Sequence, residues 1–118
     1  MAKTINGVDF SKVVKEAIAA AKGVATKDWK EVQDIVKNIA DGLIKDVEFL
    51  AKKKAGGEFN QKDASVFMED QKMLARIRLR SVAIIGLQMA EKIWNAIAEI
   101  FRKAIKSALG WSVLMPTG

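Results

Sequence analysis

Cysteine, histidine and tyrosine are absent from this chain, and proline occurs once, at Pro116. Without cysteine there is no disulfide, no thiol nucleophile and no Cys-held zinc or iron–sulfur site. Without histidine the commonest general base and metal ligand are missing, as are the Glu-x-x-His pairs of di-iron helical bundles. Ser11, Ser65, Ser81, Ser107 and Ser112 therefore have no imidazole to activate them. The glycine pair in AGGEFN lacks the Lys-Ser/Thr that a phosphate-binding loop requires. Asp63, Glu69 and Asp70 read as a lysine-flanked, solvated helix face rather than an acid–base pair. The expectation is a non-enzymatic protein with no cofactor and no metal.

Long apolar runs are also missing. The longest, residues 82–87, has six residues, against the 20 or so of a membrane-spanning helix. The N-terminal MAKTINGVDFSKVV has no apolar core of the signal-peptide kind. A cytoplasmic protein, or a part of a larger assembly, is expected, with no signal peptide or transmembrane segment.

What is present fits one helical domain. The chain has 118 residues, of which 50% are hydrophobic and 29% charged, an ordinary balance for a folded protein. Alanine, lysine, isoleucine and glutamate are abundant, which favours helix. The net charge of +6 is spread out: residues 1–59 carry 11 basic and 9 acidic groups, residues 60–118 carry 9 and 5.

Punctuation divides the chain into three predicted helices. Asp9 caps the first, 10–22, whose apolar residues Phe10, Val13, Val14, Ala17, Ile18 and Ala21 share one face, and Gly23 ends it. Thr26 caps the second, 27–54, which runs to Lys52, Lys53 and Lys54 and stops at Gly56 and Gly57. Asn60 caps the third, with Asp63 three residues on and Phe59 just before. From there no proline or turn cluster appears before Gly110, so the third helix is expected to continue over 61–109, roughly 70 Å at helical rise. A fold class follows: all-α, a short helix and then a long antiparallel hairpin, with an apolar tail over 111–118.

ARIRLRSVAIIG, residues 75–86, alternates basic and apolar residues as a basic-faced strand would. Helical sequence on both sides makes it helix. There Arg76 and Arg80 share a face and Arg78 lies opposite, so the strongest nucleic-acid signal is lost. In the hairpin, Asp34 comes near Arg78 and Arg80, and Asp41 near Arg76, as cross-helix ion pairs that set the register.

Beyond residue 87 the polar residues Gln88, Glu91, Lys92, Asn95, Glu99, Arg102, Lys103 and Lys106 fill an arc of about 120°, leaving about 240° apolar. A single neighbour covers only about 100°. In the extended hairpin just the short first helix is available to cover it, which predicts a self-association surface. Ile85, Met89, Ile93, Trp94 and Ile97 form its first half. Ile100, Phe101, Ile105 and Trp111 form its second. A break at Gly86, folding the chain into a four-helix bundle, would bury the same residues within one chain; a single glycine without proline is a weak breaker, and the extended form is preferred. The partner expected is a second copy of the chain or another helical protein. A membrane surface ranks second and nucleic acid last, because the polar arc mixes signs and no aromatics interleave with the arginines.

Overall fold

The computed structural model describes residues 4–82 and 85–114. Asn6 and Gly7 both adopt positive φ, 48° and 85°, the two-residue turn that Asn-Gly favours. They join β1 (Thr4–Ile5) to β2 (Val8–Asp9) as an antiparallel pair with Ile5 opposite Val8. This hairpin is not among the expected elements, although its Asn-Gly signal is strong.

Among the described residues four α-helices follow: α1 (Phe10–Ala25), α2 (Trp29–Ala55), α3 (Gln61–Arg80) and α4 (Leu87–Leu109). The all-α reading holds. The Asp9 carboxylate accepts from the amides of Ser11 at 3.0 Å and Lys12 at 3.4 Å, starting α1 as expected. Gly23 does not end it; α1 runs on to the buried Ala25, since one glycine costs a helix only about 1 kcal/mol. Thr26 is a corner rather than a cap. Its φ is 49°, its hydroxyl donates to the Ala25 carbonyl, and a short 3-10 turn over Thr26–Asp28 leads into α2.

At the other end of α2, Asn60 and Asp63 form a reciprocal capping box. The Asp63 amide donates to Asn60 Oδ1 at 2.9 Å, and the Asn60 amide to Asp63 Oδ2 at 3.0 Å. Phe59 packs edge-on against Phe49 of α2, with ring centroids 5.8 Å apart, and Phe67 lies 4.9 Å from Phe49. These rings close the α2–α3 junction.

The unbroken third helix is corrected. α3 stops at Arg80, where the Ser81 hydroxyl donates to the Arg78 carbonyl at 2.6 Å. The Val82 amide reaches Leu79, the Ile85 amide reaches Val82, and α4 begins after an extended Gly86. Ala83 and Ile84 of the predicted third helix lie outside the described residues. An unbroken helix over 61–109 would be about 70 Å long, whereas the longest extent of the molecule is 43 Å. Burial decides the matter. Reversal puts Ile93, Trp94, Ile97, Phe101, Ile105 and Leu109 in the core, and at about 1.5–3 kcal/mol per large side chain this far exceeds the few helical hydrogen bonds lost at the turn.

The core lies between α4 and α1, with α2 and α3 completing the cover. Phe10 and Phe101 meet at its centre, 6.3 Å between centroids. The tail also finds a place on its own chain: Val113 and Leu114 are buried, while residues 115–118 lie outside the described residues. The carboxyl end of α4 is tied down by Asn6 Nδ2, which donates to the Ala108 carbonyl at 3.0 Å, and by the Lys54 ammonium, which donates to the Leu109 carbonyl. A cation there also suits the helix dipole. Gly110 supplies the left-handed cap at φ 75°.

Candidate functional site

The surface expected to mediate self-association is inside the molecule. Trp94 and Phe101 are 0% exposed, and Ile85, Ile93, Ile97 and Ile105 are buried beside them. Met89, Ile100 and Trp111 are half-buried against the same core, Trp111 beneath the Lys54 ammonium at 5.4 Å from its ring. The premise that one chain cannot cover this arc is therefore corrected: the turn between α3 and α4 brings α1 and α3 onto it. The polar arc of α4 faces outward as expected. On it Glu99 accepts from Arg102 at 2.9 Å and lies 3.4 Å from Lys103. The hydrogen bond from Arg102, with help from Lys103, holds the Glu99 carboxyl below its usual range.

The arginines are also redistributed. Arg76 turns away from α2 and pairs with Glu91 of α4, its Nε donating to Oε1 at 2.8 Å. Arg78 lies with Asp41 at the mouth of an α2–α3 cleft, and Arg80 and Asp34 are exposed. Among the described residues no ion pair joins Asp34 or Asp41 to Arg76, Arg78 or Arg80, so the predicted register pairs are corrected. Folding α4 back onto α3 is what offers Arg76 a nearer carboxylate.

Leu87 at the start of α4 is 54% exposed, but among the described residues the open apolar surface that spans several turns is on α3. Its inner face is made of small or slender groups: Ala64, Met68, Ala75 and Leu79 are buried. Its outer face is apolar too. Val66 is 61% exposed, Met73 57%, Leu74 53% and Ile77 60%. Scattered single apolar residues on a surface need no explanation. Four within about 100° of one helix, along roughly 16 Å of its length, form a stripe. Helical spacing places Asp70 within the stripe and Asp63 and Arg80 near its ends.

Charge along α3 is polarised. Residues 61–70 carry Asp63, Glu69 and Asp70 against Lys62, whereas residues 71–80 carry Lys72, Arg76, Arg78 and Arg80 and no carboxylate. Each sign sits at the helix end its dipole favours. Beside the stripe, a cleft of about 200 Å³ between α2 and α3 is lined by Ile39, Leu43, Asp46, Leu74 and Ala75. Burial there pushes the Asp46 carboxyl up to about 6.

Sequence reading missed Val66, Met73 and Ile77 as a site. Their spacing of seven and four was legible as a second apolar face opposite Ala64, Met68 and Ala75. Among the described residues, no helix is long and apolar enough to cross a membrane. No family model, no curated protein and no solved structure matches this chain.

Proposed function

We propose that this chain is a non-enzymatic assembly protein that self-associates through helix packing, and that the outer face of α3 is its contact surface. The observation that carries the reading is the stripe of Val66, Met73, Leu74 and Ile77, each more than half exposed on a helix whose other face is already packed. Covering it on two copies removes eight large apolar side chains from water. At about half of the 1.5–3 kcal/mol for fully burying a large apolar side chain, this is a gain of roughly 6–12 kcal/mol, opposed by an association cost of about 4–15 kcal/mol. One helix pair about 30 Å long also buries less than the roughly 800 Å² per partner of a standard interface. The complex is therefore weak, with a dissociation constant of about 10–500 µM.

Docking on a lipid surface is the less favoured reading, because it would bury the Asp70 carboxylate in the apolar layer beside Met73 without a counter-charge. Light scattering over a concentration series tests the proposal. A rise in mean mass toward twice the 13.0 kDa chain between about 10 µM and 1 mM supports it; a constant single-chain mass refutes it. Flotation with anionic liposomes of a chain that stays monomeric would favour the lipid reading instead.

A further inference from the structure

We infer that two copies pair through α3 in an antiparallel arrangement whose two-fold axis passes between Gln71 and Lys72; this rests on the self-association reading above. The outward positions Asp63, Val66, Asp70, Met73, Ile77 and Arg80 recur at intervals of three, four, three, four and three. That is the spacing of a helix–helix seam. In an antiparallel pair, a residue that begins a three-step on one helix meets one that ends a three-step on the other. We take the alignment that places Val66 opposite Ile77 of the second copy and Met73 opposite Asp70 of the second copy, with Met73 of each copy beside the axis.

Most of the charges are then met by opposite charges, while the two Asp70 carboxylates come beside the axis, offset by about 4–5 Å along the pair. Asp63 comes opposite Arg80 of the second copy at both ends of the seam. Glu69, on the flank, comes opposite Arg76 of the second copy, a guanidinium already engaged with Glu91. Asp70 lies within one turn of that same guanidinium. On the other flank Leu74 meets Phe67 of the second copy, a ring only partly buried by its own chain. A parallel pair would also stack Asp63 on Asp63 and Arg80 on Arg80, which like-charge repulsion disfavours. The polarised charge of α3 thus makes the helix complementary to an inverted copy of itself.

The absence of cysteine makes the arrangement directly testable, because any introduced thiol is the chain's only one. Single variants Val66→Cys, Met73→Cys and Ile77→Cys are oxidised at about 500 µM chain, near the upper end of the expected dissociation constant, and resolved on a non-reducing gel. Met73→Cys is expected to cross-link to itself, since the two copies of residue 73 are offset by only about 4–5 Å along the pair. Val66→Cys alone is expected not to, being offset by about 16 Å, whereas Val66→Cys mixed with Ile77→Cys links across. Self-linking of Val66→Cys would overturn the antiparallel register while leaving self-association intact. A dimer by light scattering with no cross-link at any of these positions would overturn α3 as the surface. A chain that stays monomeric at 1 mM would overturn the underlying reading itself. As a charge test, Arg80→Glu should raise the dissociation constant about three- to tenfold at low salt, and by less at 0.5 M salt; no change at low salt contradicts the proposed Asp63–Arg80 opposition.

Discussion

Asp46 carries the clearest pH signature in the molecule. Half-buried in the α2–α3 cleft, its carboxyl rises from 3.8 to about 6 because burial penalises the charged form. The folded state therefore binds this proton more tightly than the unfolded chain between about pH 4 and pH 6. Stability from this group is greatest below that window and falls as pH rises through it. Discounted for solvent screening, the cost of ionised Asp46 at neutral pH is about 1–2 kcal/mol. Asp46→Asn should thus stabilise the protein by roughly that much at pH 7 and by nearly nothing at pH 3.5, as denaturant titrations at the two pH values would read. Core residues behave differently. Phe101, fully buried against Phe10, should cost about 3–5 kcal/mol when replaced by alanine, measured the same way. Sequence alone marked Trp94 and Phe101 as large apolar anchors, because their helical spacing is a local property. Which surface would cover them was not local, and there the reading went wrong.

The elements divide along the same line. The starts of α1 and α3 were legible because Asp9, Asn60 and Asp63 act on amides two or three residues away. The stop at Gly110 was legible for a similar reason. The turn between Arg80 and Leu87 was not written in any proline or capping cluster. It exists because reversal buries one side of α4, a gain spread over residues far from the turn. The Arg76–Glu91 pair reports this reversal: fifteen residues apart, the two would lie about 22 Å apart on a continuous helix. A double-mutant cycle of Arg76→Ala and Glu91→Ala should give a coupling of about 0.5–1.5 kcal/mol in stability. A continuous helix would give zero.

At the scale of the whole molecule, the extents of 43 × 29 × 19 Å and a radius of gyration of 13.9 Å match the roughly 13.5 Å of a compact domain of this length. The chain has thus covered the wide apolar arc of α4 by itself, and what it leaves open is narrower and elsewhere. Self-association survives as a proposal on new residues. The expected surface of Ile93, Trp94 and Ile97 is replaced by Val66, Met73 and Ile77, which the structure leaves in water. Two substitutions separate the roles. Ile97→Asp places a charge in the core and should abolish the cooperative fold, read as loss of helical circular dichroism. Ile77→Asp places one on the surface and should leave the fold intact.

Sedimentation velocity of the unmodified chain and of Ile77→Asp, each from about 10 µM to 1 mM, bears most directly on α3 as the contact surface. The unmodified chain should sediment increasingly as a dimer while Ile77→Asp, still helical, remains at the mass of one chain throughout. An unmodified chain that stays monomeric at 1 mM, or an Ile77→Asp variant that dimerises as well as its parent, would contradict it.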